Sequence, residues 1–469
     1  MTPRRTPWIC ALALLTTAAA AAQTITPPPS NAELSAQIQQ LRAALAATQA
    51  QLAQEQAALG QLEAKLAAAD DQQTIANGKI DGQEQTKVES GSQSRLTLSG
   101  LLLMNAYSNN GTAENSDVPN LALPSSAPFR SGALGATVRQ SEITLQASGP
   151  QIWGAQSSGE LIADFFGGLP NSLDGSAGGV ARLKIARGRL DWSKRSLLFG
   201  EDTPFISPLS PTSYASLGTP ALGYSGNLWT WTPQLVFEQR DRLGATWRNT
   251  FQAGLLDPLD GEFPARLSSR VPEAGEFSRE PALAVHESLG RDLFDRTFTF
   301  GAGAYGSRQT YGFGRNLQAW ALTADWNLAL APALDLSGEA FRGRGIGGLW
   351  GGIGTSIVSS TPDLTQATTQ IAGVNAAGGW TQLKFHLSPS LQFNAAYGLD
   401  NAFAADVERF EGTNPNYPLA RNHTALFNFI DQPRSDLVLA LEYRRIYTTP
   451  FVAPTLTAAQ INAAIGVIF

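Results

Sequence analysis

The carboxyl-terminal stretch of the chain, 458–469, alternates between two kinds of side chain. One face carries Ile461, Ile465, Val467 and Phe469, and the other carries mostly small or amide side chains. A period of two is the signature of a β-strand whose faces meet different environments. A strand that ends on its apolar face, at an aromatic residue, is typical of the closing strand of a transmembrane barrel. An edge strand of a soluble sheet is the alternative.

From residue 95 onward, short alternating segments are separated by turn signals. They predict an all-β fold, a 16-stranded antiparallel transmembrane β-barrel, preceded by an N-terminal α-helical coiled coil. The predicted strands are 95–108, 138–149, 154–166, 181–192, 196–202, 230–239, 243–255, 281–289, 296–310, 317–330, 333–343, 370–387, 390–401, 421–431, 435–448 and 458–469.

The connections between these strands alternate in length. Long polar segments follow most odd-numbered strands and tight turns follow most even-numbered ones. Long loops on one side and short turns on the other are typical of transmembrane barrels, and an even strand count leaves both ends on the short-turn side. The exceptions are 311–316 and 449–457, which are short, and 290–295, which is long.

The predicted barrel comprises residues 95–469, and the chain before it divides into four parts. A basic start, a short apolar core and an alanine-rich cleavage site predict a signal peptide at 1–22. A Pro-rich spacer at 23–31 precedes Leu and Ile at alternating steps of four and three over 32–69, which predicts a periplasmic coiled coil. A lone amphipathic helix is the alternative. Residues 70–94 are polar and are predicted to be a linker.

Composition supports this organisation. Only 15% of the 469 residues are charged, against about 25% in ordinary soluble proteins. No segment after the leader offers the ~18 apolar residues of a spanning helix, so a membrane-embedded chain must use a barrel. The 33 basic and 39 acidic residues leave a net charge of −8 once Arg4 and Arg5 go with the leader, which argues against nucleic acid as a partner. The single Cys10 lies in the leader, so disulfides and Cys-based metal sites are excluded.

Alternation also assigns faces to the strands. In the predicted strand 317–330, Trp320 and Leu322 point outward while Thr323 and Asp325 point inward. An Arg at the midplane of a lipid face costs about 2–4 kcal/mol, so strand charges are expected inside. A sixteen-strand barrel leaves a water-filled lumen, and these polar faces would line it. A soluble two-sheet protein with a polar exterior is the alternative.

The predicted strand 181–192 carries the main candidate chemistry. Arg187, Arg189 and Asp191 share the inward face, about 6.6–6.8 Å apart along the strand. Guanidinium groups bind carboxylate and phosphate in a bidentate manner, so the two arginines form a basic ladder. The other predicted pore-lining residues are Glu160, Asp164, Arg248, Lys384, His386, Glu442 and Arg444. Each charge could instead be a solvated wall residue or half of a salt bridge.

Several segments resemble DcaP-type trimeric outer-membrane porins, to which phosphate-selective porins are related. Residues 159–167 resemble the third strand of that family, 231–235 the strand after its inward-folded loop, and 439–444 its penultimate strand, while Phe469 resembles its end. The resemblance implies a homotrimer in outer-membrane lipid that passes small anionic solutes such as dicarboxylates. The inward acids outnumber the inward bases, which weakens the anionic part of this expectation.

The segment 203–227 is rich in Pro, Ser and Gly and has no charged residue. A neutral, Pro-stiffened loop can pack inside a barrel without burying charge. The resemblance places a constriction loop here, and we take Thr203, Tyr214 and Tyr224 as its candidate residues, with Arg187 beside it. A mobile external loop is the alternative.

Other functions have weaker support from the residues. His286, His386 and His423 lack metal-ligand spacing, so no metal, cofactor or catalytic residue is predicted. A Ser–His site formed by His286 near Glu287-Ser288 is conceivable, but it is disfavoured because adjacent strand residues point to opposite faces. An envelope tether anchored by a barrel and a general, non-selective porin remain as alternatives.

Overall fold

The computed structural model describes Gln39 and residues 95–469, apart from 126–131, 170–177, 262–269, 295 and 411–418. The predicted signal peptide, Pro-rich spacer, coiled coil and linker lie outside the described residues, apart from that single helical position.

The described chain forms a closed antiparallel barrel of sixteen strands. The strands are β1 (Arg95–Asn110), β2 (Thr112–Ala113), β3 (Ala122–Leu123), β4 (Ala133–Thr137), β5 (Glu142–Ile152), β6 (Ala155–Asp164), β7 (Arg182–Asp191), β8 (Arg195–Asp202), β9 (Thr232–Leu243), β10 (Trp247–Leu256), β11 (Ala282–Leu293), β12 (Arg296–Thr310), β13 (Asn316–Ala331), β14 (Leu334–Arg344), β15 (Ile357–Ser359), β16 (Ile371–Gly373), β17 (Asn375–His386), β18 (Leu391–Ala402), β19 (Leu419–Arg434), β20 (Leu437–Pro450) and β21 (Leu456–Ile468). The pairs β2–β3 and β15–β16 form small separate sheets, and β4 and β5 act as one barrel strand because both pair with β1.

The barrel closes where its first and last strands meet. β1 pairs antiparallel with β21, and Gly100 N donates to the Phe469 carbonyl at 2.9 Å. The prediction of sixteen strands closed by the carboxyl-terminal strand is therefore confirmed. Short helices occur only in the connections of the described chain, at Ala274–Phe277, Ala404–Val407, Gly347–Leu349 and Glu408–Phe410.

The two ends of the barrel differ as the sequence predicts. The connections after β8 and β14 are long and define what we call the long-loop end, whereas the turn after β7 is tight and lies at the short-turn end with Arg95 and Phe469. Several strand bounds differ from the prediction, including those of the predicted strand 370–387, because residues 371–373 belong to the separate β15–β16 sheet. The second barrel strand already begins at Ala133, because β4 also pairs with β1. The turn after β11 is short, because that strand continues to Leu293.

The faces of the strands follow the predicted alternation. Along β13, Leu322 is 55% exposed, whereas Thr323 and Asp325 are buried. Along β21, Ile461 and Ile465 are exposed, whereas Gln460 and Asn462 are buried. No described helix is long and apolar enough to cross a membrane. The described chain thus has an apolar outer wall, while its inward positions carry polar side chains together with a buried apolar cluster that includes Phe205, Val236 and Phe341.

A β-bulge changes the faces of β7. The register between β6 and β7 shifts so that Ile162 opposes Ile185 and Ala163 opposes Leu183, which leaves Lys184 as the extra residue. Strict alternation from Arg187 would carry Lys184 to the outer face. The bulge turns its side chain inward instead, because a bulge inserts one unpaired residue into the strand.

Candidate functional site in the barrel interior

The connection between β8 and β9, which we call the 203–231 loop, makes hydrogen bonds to inward-facing side chains of the barrel wall. Ser207 Oγ donates to Glu339 Oε2 at 2.5 Å, and Leu209 N donates to Glu339 Oε1 at 2.7 Å. Thr212 N donates to Gln382 Oε1 at 2.8 Å. Glu339 and Gln382 are buried on β14 and β17, so the first half of the loop is fixed to the inner wall.

The middle of the loop contacts a buried ion pair on β20. Arg444 binds Glu442 at 2.5 Å, with side-chain exposures of only 2% and 3%. Ser213 Oγ donates to Glu442, and Arg444 donates to Ser216 Oγ and to the Pro119 carbonyl. The pair was predicted to line the pore, and the structure places it where two loops meet the wall.

The loop then contacts β7 and the turn before β5. Gln140 Oε1 accepts hydrogen bonds from the backbone N–H groups of Leu217 and Gly218. From β7, Lys184 Nζ donates to the Leu217 carbonyl at 2.9 Å and Arg182 donates to the Gly218 carbonyl at 2.6 Å. These partners lie on strands distant from β14 and β17, which bind the first half of the loop.

The returning half of the loop packs closely on β17 and β18. A Cβ added at Gly398 would lie 2.1 Å from the Ser225 carbonyl oxygen, so only glycine admits the loop backbone at this point. Tyr224 packs on Trp350 with ring centroids 4.2 Å apart. Burial raises the pKa of Tyr224 to about 12 and also raises the pKa of Tyr214, so both hydroxyls stay neutral.

The predicted basic ladder faces the interior in ion pairs. Arg187 contacts Glu160 at 2.5 Å and Asp202 at 2.6 Å. Arg189 contacts Asp191 at 2.6 Å and Glu238 at 2.9 Å, and Arg240 also contacts Asp191 at 2.9 Å. The side chains of Arg187 and Arg189 remain 40% and 27% exposed. The ladder is thus open to the interior but each cation already has carboxylate neighbours.

A cavity of about 240 Å³ lies between this ladder and the start of the loop. Its wall side includes Arg187, Arg189 and Glu238, and its loop side includes Thr203 and Phe205. The sequence-predicted arginines and Thr203 therefore meet at one cavity. Asp164 lies outside this set, buried against Arg182 at 2.6 Å.

The remaining predicted residues lie near the short-turn end. Arg248 forms an exposed bidentate pair with Asp292, with both contacts at 2.7 Å. His386 contacts Asp335 at 2.8 Å, and Lys384 lies opposite Asp335 in the strand register. The structure does not bring these residues together with Arg187 at the cavity.

Sequence reasoning missed a second basic cluster beside the loop. Arg139 and Arg182 lie over the Phe166 ring at 4.5 and 5.6 Å, and Arg182 and Lys184 lie over the Trp231 ring at 4.5 and 5.3 Å. The bulge at Lys184 hid the cluster from an argument based on alternation. The available signal was a pair of basic residues two positions apart on one strand, Arg182 and Lys184.

His286, the histidine of the disfavoured Ser–His site, is paired with an aspartate in the structure. His286 Nε2 lies 2.6 Å from Asp325 Oδ2, and both side chains are buried inside the barrel. Glu287, the next residue, is exposed on the outer face. Histidine and its sequence neighbour thus point to opposite faces, as the alternation predicted.

Comparisons with known proteins were made for both sequence and structure. No protein-family model matches the sequence, and no curated protein matches it. The structure is similar to the outer membrane channel DcaP of Acinetobacter baumannii, with a TM-score of 0.60 and 15% identity over 80% of this chain and 97% of that chain. It also matches an anion-selective porin from Comamonas acidovorans, with a TM-score of 0.49 and 12% identity over 80% of this chain and all of that chain. The chain therefore has the fold of a DcaP-type porin, which is the family that its sequence resembles.

Proposed function

We propose that the chain is an outer-membrane porin through which small polar solutes diffuse passively. The observation that carries the proposal is the cavity of about 240 Å³ inside a closed barrel, between the 203–231 loop and the paired arginines Arg187 and Arg189. The apolar outer faces of the strands suit a lipid environment. The name of the DcaP structure, an outer membrane channel, supports the same function.

In this proposal the 203–231 loop is the constriction of the pore. Its contacts with buried Glu339, Gln382 and Glu442 support the assignment, because they hold the loop inside the barrel. The candidate residues Thr203, Tyr214 and Tyr224 then belong to the narrow region. A partly dehydrated constriction raises the effect of a nearby charge well above its value in open water.

We further propose that small anions such as dicarboxylates are the preferred solutes. Arg187 and Arg189 would bind a passing carboxylate by exchanging it for Glu160 or Glu238, their present partners. The second candidate function is a general, non-selective porin. It is favoured by the same ion pairs, because a cation that is already balanced gives little net preference for anions.

Liposome swelling with the purified full-length protein tests this function. The anionic porin predicts faster swelling in a small dicarboxylate than in a neutral sugar of similar size, because the arginines attract the anion. A general porin predicts rates that follow size alone. No swelling in either solute would contradict both and favour the envelope tether, in which the barrel is only an anchor.

The assembly belongs to the proposal as well. We propose a homotrimer exported by the signal peptide 1–22, with the coiled coil 32–69 in the periplasm. The resemblance to trimeric porins supports the trimer, and the Leu and Ile repeat supports the coiled coil. Crosslinking of the intact protein in membranes is expected to give trimers, and a purely monomeric pattern would contradict this part.

A further inference from the structure

The outer face of the barrel carries a basic and aromatic cluster toward the long-loop end. Arg421 and His423 lie on β19, and Arg445 and Tyr447 lie on β20, in outward positions. The His423 ring stacks on Tyr447 at 4.8 Å, and the Arg445 guanidinium lies 5.4 Å from the same ring. These contacts arrange two cations along one line down the wall, with aromatic rings between them.

Neither cation of this cluster has a carboxylate partner among the described residues. Arg421 Nε donates to Asn401 Oδ1 at 3.0 Å, which is a neutral acceptor. Arg445 is exposed and lies against an aromatic ring. The cluster therefore offers guanidinium donors to a group outside the described chain, whereas the interior arginines Arg187 and Arg444 are already paired.

A groove continues the cluster across β20, β21 and β1. It encloses about 240 Å³ and is lined by Arg445, Ser108 and Thr457, together with Tyr443 and Ile461. Along β20, Tyr443 is two residues farther from the long-loop end than Arg445, and Ile461 is exposed on the neighbouring strand. A ligand here would meet a cation and hydroxyls at one end and apolar side chains at the other.

We propose that this outer groove, lined by Arg445, Ser108, Thr457 and Tyr443 and flanked by Arg421 on the neighbouring strand β19, binds the phosphate of a phosphorylated glycolipid. The proposal rests on the proposed function, because it requires the outer wall to face a membrane. Guanidinium groups match phosphate geometry in a bidentate manner, and basic side chains beside an apolar band are a usual way to hold anionic lipid.

A second copy of the chain fits the groove less well than a lipid does. The apolar outer face of β4–β6 could pack against it, with Leu134, Ile143 and Leu161 exposed. The acids of β5 and β6, which are Glu142, Glu160 and Asp164, point inward and pair with basic residues of β7. Such a contact would bury the arginines of the groove without supplying a counter-charge from those strands, at a considerable cost.

Glycolipid binding by the purified full-length protein tests the proposal. Native mass spectrometry in detergent would compare bis-phosphorylated lipid A with the same glycolipid stripped of both phosphates, and would include inorganic phosphate as a competitor. The test variant is Arg421→Gln with Arg445→Gln. The matched control is Arg195→Gln with Arg291→Gln, two outward positions at the short-turn end. Conductance in planar phospholipid bilayers without the glycolipid is recorded for every variant.

The expected result is about tenfold weaker binding of phosphorylated lipid A by the test variant, with the control variant at the wild-type level. Equal binding of the stripped glycolipid, or wild-type binding by the test variant, would overturn the proposal. Competition by inorganic phosphate at equal concentration would assign the groove to free phosphate instead. A change in oligomeric state without a change in lipid binding would assign it to a protein contact. If the wild-type protein bound the lipid but showed no conductance, only the proposed porin function would be contradicted.

Discussion

The interior arginines Arg187 and Arg444 and the outer-face arginines Arg421 and Arg445 are held in opposite ways. Inside, Arg444 is 2% exposed and binds Glu442, and Arg187 has two carboxylate partners. Outside, Arg421 and Arg445 are exposed and have no carboxylate partner among the described residues. The fold therefore balances charge where loops must be held in place. At Arg421 and Arg445 on the outer face, it leaves two positive charges free to bind a group outside the described chain.

The largest effect is expected from breaking the buried interior pair. Glu442→Gln would leave Arg444 buried without its carboxylate and would weaken the contact with Ser213 of the 203–231 loop. Removing one member of a buried pair typically costs about 3–5 kcal/mol. We expect urea unfolding in detergent to show that loss, and limited proteolysis to cut the 203–231 loop faster.

Asp292→Asn is the matched control for this variant. It breaks the pair between Arg248 and Asp292, whose two side chains are 49% and 60% exposed. Exposed ion pairs contribute about 0–1 kcal/mol to the free energy of unfolding. If Glu442→Gln unfolded at the same urea concentration as Asp292→Asn, with the loop still protected, the interior pair would not hold the loop.

A steric change tests the same anchoring without altering charge. Gly398→Val would place a side chain against the Ser225 carbonyl, and overpacking of this kind costs about 1–3 kcal/mol. We expect a displaced loop and a larger single-channel conductance. Gly306→Val is the control, because a Cβ at Gly306 meets nothing within 4 Å. Unchanged conductance in Gly398→Val would show that the loop does not limit the pore.

The smallest effect on stability is expected at the outer face. Arg421→Gln with Arg445→Gln removes two exposed cations whose described partners are an amide and an aromatic ring. A change in the unfolding free energy below about 1 kcal/mol is expected in lipid-free detergent. A loss as large as that of Glu442→Gln would mean that the outer arginines have a structural role, and the contrast between the two regions would fail.

Much of the fold could be predicted from the sequence because alternation reports directly on a wall with two different sides. The closing strand with Phe469, the face of Leu322 and the sixteen-strand count were confirmed. Local irregularities were not accessible in this way. The bulge at Lys184 depends on the register with β6, and the extension of the second strand to Ala133 depends on pairing with β1.

The interior was harder to predict because side-chain pairing depends on strands that are distant in sequence. Alternation predicted that Arg187 and Glu160 both face inward. It did not predict the 2.5 Å contact between them. It also put Arg444 inside without showing that the 203–231 loop covers it. The wall position of a residue follows from its strand, whereas its exposure follows from loops that carry no periodic signal.

Reversal potential across a planar bilayer in a salt gradient tests most directly whether the paired arginines and acids of the cavity face the conduction path. At low salt, where screening is weak, Arg187→Gln with Arg189→Gln leaves Glu160 and Glu238 unbalanced and is predicted to shift selectivity toward cations. Glu160→Gln with Glu238→Gln is predicted to shift it toward anions, and the outer-face control Arg195→Gln to leave it unchanged. Wild-type selectivity in both double variants would contradict the account.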